Sequence, residues 1–128
     1  MTLIVEDEVT SLRILESYLE DYSEVVYALD ADSAFEIFLE AHEENEPFDL
    51  LCLDINIPDA SGLELLSEIR EYEESNGIVA SDCVKVFMVT GDNTPQKIFD
   101  SMSKGCSAYF TKPVDKSKFI EELKKIAE

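Results

Sequence analysis

Short apolar runs alternate along the chain with segments whose apolar residues recur at helical spacing. The runs lie at residues 2–5, 25–29, 50–53, 84–89 and 108–111 and are rich in Val, Leu, Ile and aromatic side chains. Each run is followed by apolar residues three or four positions apart, which is typical of a helix with one buried side. This pattern predicts five consecutive strand–helix units.

Four of the predicted helices are preceded by residues that can accept a hydrogen bond from the first helical turn. These starts are Asp32 or Ser33, Ser61 with Gly62, Thr94 before Pro95, and Asp115. The longest connection, residues 71–83, predicts an extended helix end followed by a loop.

Several predicted strands are apolar at successive positions rather than at alternate ones, as in residues 50–53. Such strands are buried on both faces, which indicates a parallel sheet with helices on both sides. We therefore predict an α/β fold, a doubly wound five-stranded (βα)5 sheet, that occupies residues 1–128 as one domain.

The composition agrees with one globular domain. The chain has 128 residues, of which 45% are apolar, enough for a single continuous core. No stretch approaches about eighteen apolar residues and the start carries no cationic lead, so we expect no membrane span, no secretory signal and a cytoplasmic location. The three cysteines are an odd number without metal-ligand spacing, and we expect them to be reduced thiols.

The net charge of −19 is unevenly distributed. Residues 1–84 hold 23 acids and two arginines, a charge of −21, whereas residues 85–128 hold eight lysines and six acids, a charge of +2. A strongly acidic surface repels phosphate backbones and anionic lipids, so we expect no direct binding of nucleic acid or membrane. A partner can approach the last third without crossing a strongly negative field.

Polar and charged residues follow the apolar runs where the predicted strands end. Glu6 and Asp7 follow the first run, Asp54 the third, Thr90 the fourth and Lys112 the fifth. Ligands of open parallel sheets bind outside the carboxyl ends of the strands. If the first and third strands are neighbours, three carboxylates meet in one crevice.

Carboxylates in one crevice need a compensating cation, because two of them about 5 Å apart repel by roughly 3 kcal/mol at an effective dielectric of about 20. Oxygen ligands suit a hard ion, and Mg²⁺ fits a shallow site that keeps several waters. A carboxylate nucleophile, a divalent ion, a lysine and a hydroxyl are the groups that phosphoryl transfer requires. Each residue alone is an ordinary polar strand end, but four strand ends on one edge favour a functional site.

With these motifs in order, the sequence resembles the receiver domain of two-component response regulators, the CheY-like family. The resemblance spans essentially the whole chain and depends on residues 3–8 (LIVEDE), 49–65 (DLLCLDINIPDASGLEL), 89–91 (VTG) and 105–113 (GCSAYFTKP). It implies a flavodoxin-like sheet with the strand order 2-1-3-4-5.

The resemblance also implies a catalytic carboxylate and a metal site. Asp54 would be the phosphoacceptor. Mg²⁺ would be bound by Asp7, Asp54 and the backbone carbonyl of Asn56, with Glu6 acting through water.

The remaining matched residues would serve the phosphoryl group and the switch. Thr90 would hydrogen-bond the phosphoryl group, Lys112 would ion-pair with it, and Tyr109 would turn inward when Thr90 moves toward it. Asn56 and Asp92 would tune dephosphorylation through the access of water. The peptide bond that follows the lysine would be cis.

The same resemblance implies a signalling switch that catalyses only its own phosphorylation and dephosphorylation, and no other enzyme activity. The donor would be a histidine kinase or a histidine phosphotransfer protein. An output partner or effector domain would contact residues 85–128. Because the chain ends with its final helix, we expect either a free-standing receiver or one excised from a longer protein.

Three alternatives are open. A phosphatase that forms an aspartyl-phosphate usually has a second carboxylate two residues after its nucleophile, where this chain has Asn56. A flavodoxin-like redox carrier requires a hydroxyl- and glycine-rich phosphate loop, where this chain has Glu6, Asp7 and Glu8. A pseudo-receiver is never phosphorylated, and the intact set of acids, threonine and lysine argues against it.

Two further expectations concern the surface. His42 lies among Glu40, Glu43 and Glu44, and we expect it to be solvated on an exposed helix. The acidic runs at residues 36–46 and 68–74 are also expected to be solvated faces.

Overall fold

A computed structural model describes residues 1–127, and Glu128, the last residue of the predicted domain, lies outside them. Strands and helices alternate as predicted, with one short 3-10 helix before the fourth strand. In order the elements are β1 (Thr2–Val5), α1 (Val9–Leu19), β2 (Val25–Ala28), α2 (Ala31–Glu43), β3 (Leu50–Leu53), α3 (Gly62–Ser75), the 3-10 turn (Ala80–Asp82), β4 (Lys85–Thr90), α4 (Pro95–Ser103), β5 (Ala108–Thr111) and α5 (Lys116–Ala127).

The five strands form one parallel sheet in the order β2-β1-β3-β4-β5, which confirms the predicted order. The register aligns the strand ends, because Val5 pairs with Leu53, and Leu53 pairs with Met88. The loops that leave β1, β3, β4 and β5 therefore emerge at one edge of the sheet, where ligands of such sheets bind.

Each face of the sheet packs against helices through its own apolar cluster. On one face, Leu3, Leu51 and Met88 pack with Phe38 and Ile69 from α2 and α3. On the other face lie Ile4, Leu12, Cys52, Phe87, Phe110 and Phe119, the last of these from α5. Alternate residues of each strand point to opposite faces, so both need apolar side chains. The continuous apolar runs of the sequence follow from this arrangement.

The start of α2 differs from the prediction, which named Asp32 or Ser33 as the cap. The capping residue is Asp30, whose carboxylate accepts a hydrogen bond from the backbone N–H of Ser33 at 2.8 Å. The reason is that β2 ends at Ala28, one residue earlier than predicted, so the helix begins at Ala31.

His42 is half-buried, so the prediction of a solvated imidazole is wrong. Its ring lies edge-on to Phe38, with centroids 4.8 Å apart, and 5.3 Å from the ring of Tyr72 on α3. Tyr72 covers the imidazole from the neighbouring helix. The acidic residues beside His42 in the sequence gave no sign of this contact.

Glu73 is also buried, although the run that contains it was predicted to be a solvated face. Its side chain is 2% exposed and pairs with Arg70, with 2.6 Å between Nη1 and Oε1. The other carboxylate oxygen accepts the backbone N–H of Val84 at 2.8 Å. Arg70 donates in turn to the carbonyl oxygens of Val84 at 2.9 Å and Gly105 at 2.8 Å. This network ties α3 to the residue before β4 and to the turn before β5.

The Arg70–Glu73 network predicts a specific stability cost. Glu73→Gln removes the charge but keeps the shape, and we expect it to lower the free energy of unfolding by about 2 kcal/mol, because the arginine loses its partner in a mostly buried position. Urea unfolding measures the change. The adjacent exposed Glu74→Gln is the control, and equal effects of the two substitutions would refute the role of the network.

No helix among residues 1–127 is long and apolar enough to cross a membrane. Within the same residues Cys52, Cys83 and Cys106 are free thiols, and Cys52 and Cys106 are buried.

Candidate functional site

Lys112 connects the predicted acids at the carboxyl edge of the sheet. Its ammonium, carried just beyond β5, donates to Oδ2 of Asp54 after β3 at 2.8 Å. It also donates to Oε1 of Glu6 after β1. Residues separated by 58 and 106 positions in sequence are thus joined at one point. The following peptide bond, Lys112–Pro113, is cis, as the resemblance implied.

The two buried carboxylates differ in their electrostatic surroundings. Burial by itself raises the pKa of Asp54, but hydrogen bonds from Lys112, Thr90 and the Asn56 backbone outweigh it and lower that pKa below its usual value. Burial raises the pKa of Glu6, and the negative charge of Asp54 adds to the rise, while Lys112 only partly opposes it. Asp54 is therefore the better stabilised anion of the pair.

The loop after β3 is built to hold the Asp54 carboxylate. The backbone N–H of Asn56 donates to Oδ1 of Asp54 at 3.1 Å, and Asn56 pairs with Ser61 across the loop. Gly62 closes the loop by donating to the carbonyl of Ile55 at 2.7 Å. A Cβ at Gly62 would lie 2.1 Å from the Asp54 carbonyl oxygen, so only glycine permits this approach.

Asp59 joins the same loop to the start of α2. Its carboxylate accepts the backbone N–H groups of Ala31 at 2.8 Å and Asp32 at 3.1 Å. These are free donors of the first helical turn, and a negative charge is favourable there. Asp59 was not predicted as a functional residue. Its place in the loop after Asp54 could have indicated a role in holding that loop.

Thr90, Asp92 and Tyr109 are linked on the β5 side of the site. The backbone N–H of Asp92 donates to the Thr90 hydroxyl at 3.3 Å, and the Tyr109 hydroxyl donates to the Asp92 carbonyl. Burial, with a contribution from the charge of Asp92, raises the pKa of Tyr109 to about 12. Tyr109 is half-buried and packs against the apolar cluster on the α2–α3 face.

Asp7, unlike Glu6 and Asp54, is not paired with Lys112. It is exposed, whereas Glu6 and Asp54 are 2% and 6% exposed. Within residues 1–127, no three carboxylate, imidazole or thiolate side chains are arranged around a common point as a metal cage. Mg²⁺ in proteins usually keeps several waters and takes only one or two carboxylates, so an open donor set still suits it. The buried Glu6 Oε2, which has no hydrogen-bond partner among the described residues, is an available oxygen in this set.

A cleft of about 400 Å³ lies beside the Asp54 loop. Asp7 and Asn56 line it together with Pro58 and Ser61, and Lys97 of α4 lines the same space. The sequence analysis did not single out Lys97. The predicted helix start at Thr94 and Pro95 could have indicated this residue, because it places the lysine in the first helical turn after β4.

Comparison with known proteins identifies the family. The model of the family "Response regulator receiver domain" matches residues 2–124 of this chain. The chain belongs to the receiver domains of response regulators, the signalling switches of two-component systems. The flavodoxin-like redox carrier is therefore not supported.

Individual relatives agree with this family. The chain is 31% identical over 126 residues to the TorCAD operon transcriptional regulatory protein TorR of Escherichia coli O157:H7, covering 97% of this chain and 48% of TorR. It thus spans about half the length of that relative. It is 29% identical to the polar-differentiation response regulator DivK of Brucella ovis, covering 95% of this chain and 91% of DivK.

Solved structures agree on the fold. A CheY-like response regulator receiver domain protein from Methanospirillum hungatei JF-1 superposes with a TM-score of 0.79 at 30% identity, covering 98% of this chain and 92% of the other. The chemotaxis protein CheY4 of Vibrio cholerae, at 21% identity and a TM-score of 0.76, matches in fold alone.

The Asp59 contacts predict a pH-dependent stability. The backbone N–H of Ala31, helped by that of Asp32, lowers the pKa of the Asp59 carboxyl below 3.8. A lowered native pKa gives stability that is present above the unfolded pKa and is lost as the pH falls through the native value. We therefore expect Asp59→Asn to lower Tm at pH 7 and the difference from the natural protein to shrink below about pH 3.8. Thermal unfolding against pH measures this effect, with the exposed Asp82→Asn as control. A difference that stays constant down to acid pH would contradict it.

Proposed function

We propose that this domain accepts a phosphoryl group on Asp54 from a phosphohistidine of a histidine kinase or histidine phosphotransfer protein, uses Mg²⁺, and passes the signal through residues 85–128. The observation that carries the proposal is the Asp54 carboxylate itself. It is buried at the carboxyl edge of the sheet, yet it stays an anion because Lys112 at 2.8 Å and the Asn56 N–H at 3.1 Å both donate to it. On this proposal the receiver domain extends over residues 1–128.

The proposed transfer is a single displacement at phosphorus. An Asp54 oxygen attacks the phosphorus and forms the P–O bond, while the P–N bond of the phosphohistidine breaks. The electron pair of that bond goes to the imidazole nitrogen, which leaves as a neutral ring because its other nitrogen carries a proton. The product is an aspartyl-phosphate. A lowered pKa keeps the attacking carboxylate ionised at neutral pH without a separate base.

Side chains around Asp54 would hold Mg²⁺ through oxygen atoms. Asp7, Asp54 and the Asn56 carbonyl are the proposed direct ligands, and Glu6 acts through water. When bound, the ion neutralises charge on the transferring oxygens. The unpartnered Oε2 of Glu6 and the excess of carboxylates in the crevice support this assignment.

Lys112 and Thr90 are the proposed partners of the phosphoryl oxygens. Lys112 already lies against Oδ2 of Asp54, so its ammonium can follow the negative charge outward onto the phosphoryl group. The Thr90 hydroxyl lies at the end of the neighbouring strand β4 and contributes to the lowered pKa of Asp54. Both groups donate to an anion, and this is the contribution that phosphoryl transfer needs from the protein.

The switch would run from Thr90 to Tyr109 through Asp92. Because Asp92 N–H donates to the Thr90 hydroxyl and its carbonyl accepts from Tyr109, a movement of Thr90 toward the phosphoryl group pulls on both contacts. On this proposal these contacts form the element that changes between two states. Asn56 and Asp92 flank the acceptor and are the proposed controls of water attack, which breaks the P–O bond and regenerates the Asp54 carboxylate with release of inorganic phosphate.

The proposed output face lies within residues 85–128. This part of the chain has a charge of +2, against −21 for the rest. It also exposes two large apolar side chains on α4, Phe99 at 66% and Met102 at 48%. Exposed apolar side chains on a nearly neutral surface suit contact with another protein.

Phosphorylation of Asp54 is tested by labelling. Asp54→Asn removes the nucleophile, and we expect it to abolish labelling by acetyl phosphate with Mg²⁺. Asp82→Asn, an exposed aspartate before β4, should leave labelling unchanged. The label on the natural protein should be released by hydroxylamine, as an acyl phosphate is. Undiminished labelling of Asp54→Asn would place the acceptor elsewhere.

A further inference from the structure

Lys97 is a cation at the Asp54 cleft that none of the proposed roles uses. It lies in the first turn of α4, is half-buried, and lines the cleft of about 400 Å³ together with Asp7 and Asn56. Its side chain therefore borders open space beside the loop that follows Asp54.

We propose that Lys97 attracts the anionic phosphoryl donor into this cleft and so favours donors with a high negative charge. The inference rests on the proposed function and adds a specificity-determining residue to it. Lys97 binds the phosphoryl oxygens of the incoming donor before transfer, whereas Lys112 acts at the acceptor.

The charge distribution supports this role. Lys112 is already engaged by Glu6 and Asp54, so it offers little attraction to a second anion before transfer begins. Among the described residues, no carboxylate oxygen lies within 4.0 Å of the Lys97 ammonium. Asp7 lines the same cleft, and Lys97 contributes to the lowered carboxyl pKa of Asp92 before the helix.

An unengaged cation matters more here than on an ordinary surface. Residues 1–84, which supply most of the residues that line the cleft, carry a charge of −21, so this part of the chain repels a dianion. A single local positive charge in a cleft concentrates field lines and can raise association rates by about tenfold or more at low ionic strength. The effect falls off as salt shortens the screening length.

Three variants separate the effect of a positive charge at position 97 from the effect of the net charge of the protein. Lys97→Gln removes the ammonium, Lys97→Arg keeps a cation, and Lys104→Gln is the matched control. Lys104 follows the same helix, and its ammonium donates to the Ser67 hydroxyl at 2.8 Å, away from the cleft. Lys97→Gln and Lys104→Gln change the net charge equally, so a difference between them reports where the charge lies.

The first measurement is the rate constant of Asp54 labelling by acetyl phosphate. We expect Lys97→Gln to be about tenfold slower than the natural protein at low ionic strength, and the ratio to approach one at high salt. Lys97→Arg should retain the rate, and phosphoramidate, which has a lower net charge, should show a smaller ratio. Equal rates for Lys97→Gln and Lys104→Gln would overturn the proposal.

The second measurement does not depend on phosphorylation. Inorganic phosphate is titrated into the protein with Mg²⁺, and amide NMR shifts of residues 55–61 report binding in the cleft. We expect Lys97→Gln, but not Lys104→Gln, to weaken phosphate binding by about tenfold. Equal affinities of the two variants would overturn the inference, whatever the labelling result. If the natural protein is never labelled on Asp54 but phosphate binding still depends on Lys97, the proposed function and the donor role fail, and only the assignment of Lys97 as an anion-binding group of the cleft stands.

Discussion

Two buried carboxylates held by one ammonium are the constraint on which the structure of the site depends. Glu6 and Asp54 end neighbouring strands, and Lys112 from a strand further along the sheet donates to both. Without a cation the two acids would repel each other in a partly desolvated crevice. The lysine lowers the pKa of Asp54, while Glu6 keeps a raised pKa and an oxygen without a partner among the described residues. One ammonium therefore offsets only part of the charge of two carboxylates, and the site can take a further cation or release the lysine toward a new anion.

The fold supports this arrangement from the opposite edge of the sheet. Arg70 of α3 donates to the carbonyls of Val84 and Gly105, which precede the two strands that carry Thr90 and Lys112. Glu73 accepts from Arg70 and from Val84, so the arginine is fixed in turn. With the amino ends of β4 and β5 held in this way, their carboxyl ends present a hydroxyl and an ammonium at a defined distance from Asp54.

Much of this fold and of this site could be predicted from the sequence because both depend on local pattern. Continuous apolar runs indicated buried parallel strands, and a polar residue after each run indicated which edge carries chemistry. The strand order came from the resemblance and is confirmed by the sheet. Asp54 and Lys112 could be named because each directly follows such a run, whereas their contact depends on strand neighbours that no local pattern specifies.

The residues that were missed owe their roles to partners distant in sequence. Glu73 lies in an acidic run like any other, and its burial depends on Arg70 meeting the loop before β4. His42 is covered by Tyr72 from another helix, and Asp59 binds N–H groups of a helix almost thirty residues earlier. Lys97 lines a cleft whose other walls come from the loops after β1 and β3. Tertiary packing determines the burial and the partners of these residues, and the periodicity of the sequence does not predict tertiary packing.

A double-mutant cycle in buffer without divalent metal measures whether Lys112 stabilises the two buried acids. The free energy of unfolding is measured for the natural protein, Lys112→Gln, Glu6→Gln and the double variant. The account predicts that Lys112→Gln costs more stability when Glu6 is present than when it is replaced, with a coupling of about 1 to 2 kcal/mol. Additive effects, within about 0.5 kcal/mol, would contradict it and would mean that the lysine and the acid are stable independently of each other.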